Sequence, residues 1–267
     1  MSTEAALGAL APVVARKRAE VDGLRRRSDA LWARAATAPA RRDFVAALHG
    51  GAVIAEMKRR SPSGGALRGD LDPAATAVAY AGAGAAAVSV LTDGPDFGGS
   101  LDDLAAARAA VPLPVLCKDF TVDPLQVAQA RAAGADAVLL IVAVLGAAGL
   151  EECLAAAARA GLDALVEVHD AAEAKLAADG GAALVGVNNR DLRSLHTDLG
   201  TFARLRGLLP AGITVIAESG VHTPTDCARL VADGADAVLV GEALMRADSP
   251  GALCAEMVAA GRSARYR

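Results

Sequence analysis

Short apolar runs alternate along the chain with longer alanine-rich stretches that contain charged residues. Eight such runs follow one another at spacings of about 20 to 33 residues, which suffice for a strand, a helix and two short loops. The runs begin near Val53, Ala86, Pro114, Ala137, Ala164, Leu184, Thr214 and Ala237. Strands that alternate with helices in this way form a parallel sheet.

A repeated phrase marks the joints between helices and strands. Residues 134–139 and 234–239 both read Gly-Ala-Asp-Ala-Val-Leu, and looser copies begin at residues 84, 161 and 181. Glycine is preferred just after a helix because it adopts a left-handed conformation without steric cost. Eight units of this size favour a closed α/β fold, the (β/α)8 TIM barrel, over an open doubly wound sheet. No G-x-G-x-x-G motif follows the first strand, which also argues against a dinucleotide-binding sheet.

The residues before the first strand predict an N-terminal helical extension. In residues 11–37, apolar residues are spaced among charged ones, and this pattern predicts a helix. Residues 43–48 are predicted to form a second, shorter helix. We therefore expect a single β/α-barrel domain over residues 1–267, with residues 1–50 as the extension and residues 51–267 as the barrel. The extension could cover one end of the barrel.

Composition narrows the function classes. The chain of 267 residues is 54% hydrophobic and 22% charged, which is typical of a folded protein. Its net charge of −4 disfavours nucleic acid as a partner. The basic residues between Arg16 and Arg27 are expected to form the solvated face of a helix.

Cysteine spacing and hydropathy indicate the compartment. The four cysteines have no C-x-x-C spacing, so they predict neither a metal site nor disulfides and favour a reducing environment. They are Cys117, Cys153, Cys227 and Cys254. The N-terminus lacks a signal-peptide pattern, and no apolar run reaches the roughly 20 residues that span a bilayer. We expect a cytoplasmic protein without a membrane segment.

Charged and polar residues end five of the predicted strands. Side chains alternate along a strand, so one face of these strands carries Glu56, Lys58, Lys118, Glu167, Asn188 and Glu218. If this face points inward, the six side chains meet at the end of the barrel where catalytic groups lie. The alternative is that some point outward and pair with helices. Lysines among carboxylates permit acid–base chemistry, and a lysine of lowered pKa could form an imine.

Two loops predict a phosphate site. Ser219 and Gly220 follow the seventh strand, and Gly241 follows the eighth; loops in these two positions often bind phosphate through backbone N–H groups. The alternative is two ordinary turns. The loop of residues 59–65, after the first strand, is expected to be a mobile loop over the site. No histidine has metal-ligand spacing, and His169 is expected to be structural or to face solvent.

Several motifs in this order resemble the indole-3-glycerol phosphate synthase family over nearly the whole chain. Residues 54–63 contain its E-x-K-x-x-S-P-S pattern, and the other motifs lie at residues 91–93, 97–101, 118–124, 187–192, 218–220 and 240–241. Residues 17–21 look like the family's extra helix. The resemblance implies closure of 1-(2-carboxyphenylamino)-1-deoxyribulose 5-phosphate to indole-3-glycerol phosphate in tryptophan biosynthesis, with loss of carbon dioxide and water. It implies a phosphorylated small-molecule substrate and neither a cofactor nor a metal.

The resemblance also implies a role for each site residue. Lys118 resembles the general acid and Glu167 the base or proton shuttle. Glu56 and Asn188 resemble groups that orient the acid and the substrate's hydroxyls, and Lys58 resembles a cation near the substrate's carboxylate or phosphate. Ser61, Arg190 and Glu218 line the pocket. The apolar wall would consist of Pro62, Phe97, Phe120 and Leu139, and the phosphate site of Ser219, Gly220 and Gly241.

Two positions depart from the family pattern. Glu242 stands where the family usually has a small residue, and a carboxylate pointed at phosphate would repel it. Cys117 stands where arginine is common, and its predicted outward face implies a change of packing only. Other readings are an imine-forming lyase, a sugar-phosphate isomerase, or a degenerate subunit that binds a ligand or partner. The expected assembly is a monomer or weak homo-oligomer.

Overall fold

Eight parallel strands form a closed barrel in the computed structural model, which describes residues 8–192 and 194–265. Each strand pairs with its neighbours in chain order, and the eighth pairs with the first. The strands are β1 Ala52–Met57, β2 Ala87–Leu91, β3 Val115–Lys118, β4 Ala137–Ile141, β5 Asp163–Val168, β6 Leu184–Asn188, β7 Thr214–Glu218 and β8 Ala237–Val240. The predicted (β/α)8 TIM barrel is confirmed, and every strand starts within one residue of its predicted start.

Helices surround the barrel and precede it. The extension contains α1 Ala11–Arg25, α2 Ser28–Ala36 and α3 Phe44–Ala47. The later helices are α4 Pro73–Gly82, α5 Gly94–Phe97, α6 Leu101–Ala110, α7 Pro124–Ala132, α8 Val142–Ala160, α9 Ala171–Asp179, α10 Gly200–Arg206, α11 Pro224–Ala232, α12 Glu242–Arg246 and α13 Pro250–Arg265. Aspartate, serine or threonine caps most of the helices that follow a barrel strand, as Asp123 does for α7. Within the described ranges, no helix combines the length and hydropathy needed to cross a membrane.

Alternate residues of each strand belong to two separate apolar layers. Ile54, Leu116 and Leu165 lie in the layer inside the barrel. Val53, Cys117 and other residues of opposite parity lie between the barrel and its helices. This arrangement confirms the inward faces predicted from strand alternation, and it confirms that Cys117 faces outward.

The repeated phrase has a structural role at the N-terminal end of the barrel. Gly134 and Gly234 have φ values of 98° and 101°, a region that favours glycine. The aspartate two residues later accepts a hydrogen bond from the backbone N–H of a neighbouring strand: Asp136 from Val115, and Asp236 from Val215, each at 2.9 Å. The repeat thus satisfies the backbone N–H groups at the starts of two strands, β3 and β7, which lie four βα units apart.

The extension contacts both ends of the barrel. It was predicted as one long helix, but the chain leaves helical geometry at Arg27, whose φ and ψ are −129° and 26°, and α2 begins at the next residue. α1 lies at the C-terminal end, where Arg16 binds Asp93 just after β2. α3 lies at the opposite end, where the Phe44 N–H donates to the Asp163 carboxylate at the start of β5.

The basic segment of α1 is only partly solvated. Arg18 and Arg25 are exposed as expected. Lys17 is 4% exposed, and its Nζ lies 3.1 Å from Asp93 and 2.7 Å from Asp119. The prediction of a wholly solvated face was therefore wrong at Lys17, because a charge run in sequence does not reveal which member meets buried carboxylates.

Candidate active site

A cavity of about 160 Å³ opens at the C-terminal ends of the strands. All eight strands contribute a lining residue, as expected of a barrel site. The predicted residues in its wall are Glu56, Lys58, Ser61, Pro62, Phe97, Lys118, Phe120, Leu139, Glu167, Asn188, Arg190, Glu218 and Ser219. Gly220 and Gly241 are close in sequence to lining residues but do not themselves line the cavity. A larger cavity of about 740 Å³ shares Asn188 and Leu192 with it, but neither Lys58 nor Lys118 lines that cavity.

Lys118 lies at the centre of the charged groups. Its Nζ is 3.0 Å from Glu167 Oε2 and 3.2 Å from Glu218 Oε2. Burial disfavours the charged ammonium, but the carboxylates of Glu167, Glu218 and Glu56 outweigh it and raise the pKa of Lys118. Lys118 is therefore protonated at neutral pH, the state that a general acid needs and an imine-forming amine does not.

Glu167 and Glu218 have opposite protonation preferences. Burial opposes ionisation of Glu167, but Lys118 and His169 outweigh burial and hold its pKa well below the usual range. Burial, together with the Glu167 charge, raises the pKa of Glu218 to about 7 despite Lys118. Two carboxyl groups with separated pKa values on one lysine can divide the roles of base and proton donor.

Gly186 makes room for Glu218. A Cβ at this position of β6 would collide with the Glu218 carboxylate. The absence of a side chain on one strand therefore permits the carboxyl group of the next strand to lie inside the barrel.

Glu56 and Lys58 form a second ion pair. Lys58 Nζ donates to Glu56 Oε1 at 2.6 Å, and Ser89 Oγ donates to Glu56 Oε2 at 3.2 Å. Burial opposes the charge on Glu56, but Lys58 and Lys118 lower its pKa. A Cβ at Gly241 would collide with Glu56 Oε1, so this glycine provides space for the pair.

Glu167 is oriented by two further side chains. Asn188 Nδ2 donates to Glu167 Oε1 at 3.0 Å, and His169 Nε2 lies 3.2 Å from the same oxygen. His169 Nδ1 is 3.0 Å from Glu173. Burial opposes the imidazolium, but the two glutamates outweigh it and raise the pKa of His169 to about 10. The His169 side chain is thus only 10% exposed and lies against Glu167, so of the two expected roles, structural or solvent-facing, the structural one fits.

The loop after β1 forms a short hairpin over the cavity. Arg60–Ser61 pairs with Gly65–Ala66 in antiparallel fashion. Ser61 is buried and accepts a hydrogen bond from the Gly64 N–H at 2.9 Å. Arg190 reaches this loop from the end of β6 and donates to Ser63 Oγ at 2.6 Å. The predicted loop residues are therefore held near the charged groups of the cavity by hydrogen bonds.

The predicted phosphate loops have unusual backbone geometry. Ser219 and Gly220 have φ values of 63° and 80°. A left-handed serine costs roughly 1 kcal/mol or more, and such strain concentrates at functional sites. A Cβ at Gly220 would lie 2.5 Å from the Thr197 side chain. Glu242, the departure at the start of α12, accepts a hydrogen bond from Arg246 at 3.0 Å.

Apolar residues complete the cavity. The rings of Phe97 and Phe120 have centroids 5.9 Å apart, and Leu139 lies on the same wall. The sequence reasoning missed further lining residues, which are Leu10, Val13, Ser63, Leu91, Asp119, Ile141, Leu192, Leu195 and Leu239. Strand alternation could have found Leu91, Ile141 and Leu239. Leu10 and Val13 come from the extension, and no strand pattern points to them.

The chain is similar to indole-3-glycerol phosphate synthases over most of its length. The family model of that description matches residues 10–257. A Streptomyces coelicolor protein named indole-3-glycerol phosphate synthase 2 is 57% identical over 81% of this chain and 85% of its own length. A Parafrankia relative named indole-3-glycerol phosphate synthase is 53% identical over 87% of each chain.

A solved structure of thiamine phosphate pyrophosphorylase from Pyrococcus furiosus has a TM-score of 0.61 at 17% identity, covering 81% of this chain and 98% of that one. At that identity it supports the barrel fold alone. The family match and the close relatives agree with the charged cavity and with the motifs that line it. The chain belongs to the indole-3-glycerol phosphate synthase family, and it is a carboxy-lyase of tryptophan biosynthesis that acts on a small phosphorylated substrate.

Proposed function

We propose that this cavity binds 1-(2-carboxyphenylamino)-1-deoxyribulose 5-phosphate and that the residues around Lys118 close it to indole-3-glycerol phosphate. The observation that supports these assignments best is a buried, protonated lysine in contact with two glutamates whose pKa values differ. The reaction needs an acid for a carbonyl oxygen and a base for a later proton removal, and this group contains both.

In the first step, the aromatic carbon that bears the carboxylate attacks the substrate's carbonyl carbon. A C–C bond forms, the C=O π bond opens, and Lys118 donates a proton to the oxygen. The raised pKa of Lys118 keeps that proton available at neutral pH. Glu218, with a pKa of about 7 and 3.2 Å away, is placed to return a proton to Lys118 before the later step.

Loss of carbon dioxide follows in the apolar part of the cavity. The C–C bond to the carboxylate breaks, its electron pair restores the aromatic ring, and carbon dioxide leaves. Phe97, Phe120, Pro62 and Leu139 form the surface against which the ring packs. An apolar surface disfavours the carboxylate and therefore favours its departure.

Dehydration completes the indole. The hydroxyl group leaves as water after protonation, and Glu167 accepts the proton from the adjacent carbon as the C=C bond forms. Asn188 holds Glu167, while Glu56 holds Lys58 near the substrate's carboxylate or phosphate. Ser61 and Arg190 line the substrate's path, and backbone groups at Ser219, Gly220 and Gly241 bind the phosphate.

The test is indole fluorescence after mixing the protein with the anilino-deoxyribulose phosphate. Lys118→Ala and Glu167→Gln should each lower kcat by about 100- to 10,000-fold, the usual contribution of an acid or base. Lys175→Ala is the matched control, because Lys175 is an exposed lysine paired with Asp179 on α9. A folded wild type that leaves the substrate unchanged would overturn the proposal, as would full activity of Lys118→Ala.

We also propose that residues 1–267 act as one β/α-barrel domain in the cytoplasm, as a monomer or weak homo-oligomer. All four cysteines are buried and free, which suits a reducing compartment. The extension is bound to both barrel ends, which suits a single folding unit. Light scattering across a range of protein concentrations tests the assembly, and a single calorimetric transition tests the domain.

A further inference from the structure

Two arginines hold adjacent residues of the loop over the cavity. Arg246, at the end of α12, donates from Nη2 to the carbonyl oxygen of Gly64 at 2.7 Å. Arg190 donates from Nη1 to the hydroxyl of Ser63 at 2.6 Å. The same loop carries Ser61, which lines the cavity. The two contacts therefore fix the position of a segment that faces the substrate.

Glu242 lies between the two arginines. Its Oε1 accepts a hydrogen bond from Arg246 Nε at 3.0 Å, and its Oε2 is 3.9 Å from Arg190 Nη2. The Gly64 backbone packs against this group: a Cβ there would lie 3.1 Å from Glu242 Oε1 and 3.2 Å from Arg246 Nη2. Glu242 thus compensates two like charges that would otherwise repel each other across the loop.

The Glu242–Arg246 pair differs from an ordinary helix-surface pair. Such pairs at (i, i+4) are worth at most about 0.5 kcal/mol. Here the guanidinium binds the carboxylate through Nε and the loop carbonyl through Nη2, and its planar geometry makes each contact dependent on the other. Further hydrogen bonds join the segment after β1 to the end of α12: Arg68 donates to the carbonyl oxygens of Met245 and Ala247.

We propose that Glu242 is a positioning residue that orients Arg190 and Arg246 and so keeps residues 61–64 over the cavity. This inference rests on the proposed substrate cavity. The proposed role of Glu242 is the opposite of the one expected from sequence, where a carboxylate at this position would weaken binding by repelling the phosphate. Removing Glu242 should therefore weaken substrate binding, whereas relief of repulsion would strengthen it.

Steady-state kinetics of Glu242→Ser and Glu242→Gln distinguish the two accounts. We expect KM to rise about fivefold, the effect of losing one hydrogen bond of ordinary strength. We expect kcat to stay within about twofold, because Lys118 and Glu167 lie on strands that the loop does not hold. Arg246→Gln should raise KM by the same factor as Glu242→Ser. The double variant should have a KM close to that of either single variant, because both substitutions break the same arrangement.

Hydrogen–deuterium exchange of residues 58–68 provides a readout that needs no activity. Exchange should become faster in Glu242→Ser and Arg246→Gln. Arg229→Gln is the matched control, since Arg229 forms an (i, i+4) pair with Asp233 on α11; KM and loop exchange should both stay at wild-type values. A lower or unchanged KM in Glu242→Ser, or unchanged exchange in the loop, overturns the inference. An inactive wild type would instead overturn the proposed function.

Discussion

Each acid and base in the cavity owes its protonation state to burial and to its neighbours. Burial and the nearby charge of Glu167 raise the pKa of Glu218 to about 7 despite Lys118. For Glu167, Lys118 and His169 outweigh burial and keep the carboxylate ionised, and Asn188 donates a hydrogen bond to it. The same residue type thus has two different protonation preferences beside one lysine.

Replacing Glu218 by glutamine should shift the pH dependence of the reaction. The substitution removes a carboxylate 3.2 Å from Lys118, and a lost negative neighbour lowers the pKa of an ammonium. Lys118 then loses its proton at lower pH, so the alkaline decline of kcat should move to lower pH. Measurement of kcat against pH tests this, with Glu151→Gln, a substitution at an exposed glutamate on α8, as the control. An alkaline limb that does not move would show that Lys118 is not the group that titrates there.

The pKa of His169 predicts a pH-dependent contribution to stability. Its folded value is raised from 6.5 to about 10, so the protonated ring stabilises the folded state fully below pH 6.5, and this stability is lost as pH rises through about 10. The difference in unfolding free energy between the wild type and His169→Asn should shrink over that window. Its size is a few kcal/mol at most, because one pKa unit corresponds to about 1.4 kcal/mol.

Urea unfolding of both proteins at several pH values measures that difference. His196→Asn, a substitution at an exposed histidine, serves as the control. A constant gap for His169→Asn between pH 6.5 and 10 would mean that the ring is neutral in the folded protein.

Alternation along strands was enough to place most candidate residues, because the two-residue period of a strand is a local property. It predicted Glu56, Lys118 and Glu167 on the inward face, and all three line the cavity. The partners of these residues were not predictable in the same way. The second partner of His169, Glu173, lies on the following helix. The side-chain direction of Glu242 depends on an arginine and a loop far apart in sequence.

At the scale of elements, the strand and helix boundaries followed from sequence more closely than the extension did. Glycine and capping residues mark the βα units at regular positions, whereas the break between α1 and α2 contains only arginines and serine, which have no strong helix-ending signal. The role of α1 depends on its long-range contacts: Lys17 binds Asp93 and Asp119, which follow β2 and β3.

Lys17→Met should therefore destabilise the protein. The substitution leaves the buried Asp93 and the adjacent Asp119 with one fewer cation, and breaking a buried pair costs about 3 kcal/mol, although Arg16 still binds Asp93. Arg18→Met, on the exposed face of the same helix, should change the unfolding free energy by less than about 0.5 kcal/mol. Equal effects in chemical unfolding would show that the Lys17 contacts add nothing to stability.

At the scale of the whole molecule, the extension contacts opposite ends of one barrel, and its contact at the C-terminal end reaches the cavity. Phe44 and Leu48 are fully buried in the inner apolar layer, with α3 at the N-terminal end. Leu10 and Val13 line the cavity at the C-terminal end. A barrel keeps its catalytic groups at the C-terminal end, so the two contacts of one segment should have different consequences.

Phe44→Ala should lower the unfolding free energy by about 3–5 kcal/mol, the usual cost of a large cavity in a core, and should leave kcat/KM within about twofold where the variant is folded. Leu10→Ala should do the reverse: a loss of stability below about 1 kcal/mol and a KM raised about three- to tenfold, since partly buried methyl groups leave the substrate's surroundings. Unfolding curves and kinetics on the same preparations compare the two. If Phe44→Ala changed KM as much as Leu10→Ala does, the two ends would be coupled through the barrel. The prediction that Phe44 affects stability without affecting substrate binding would then be wrong.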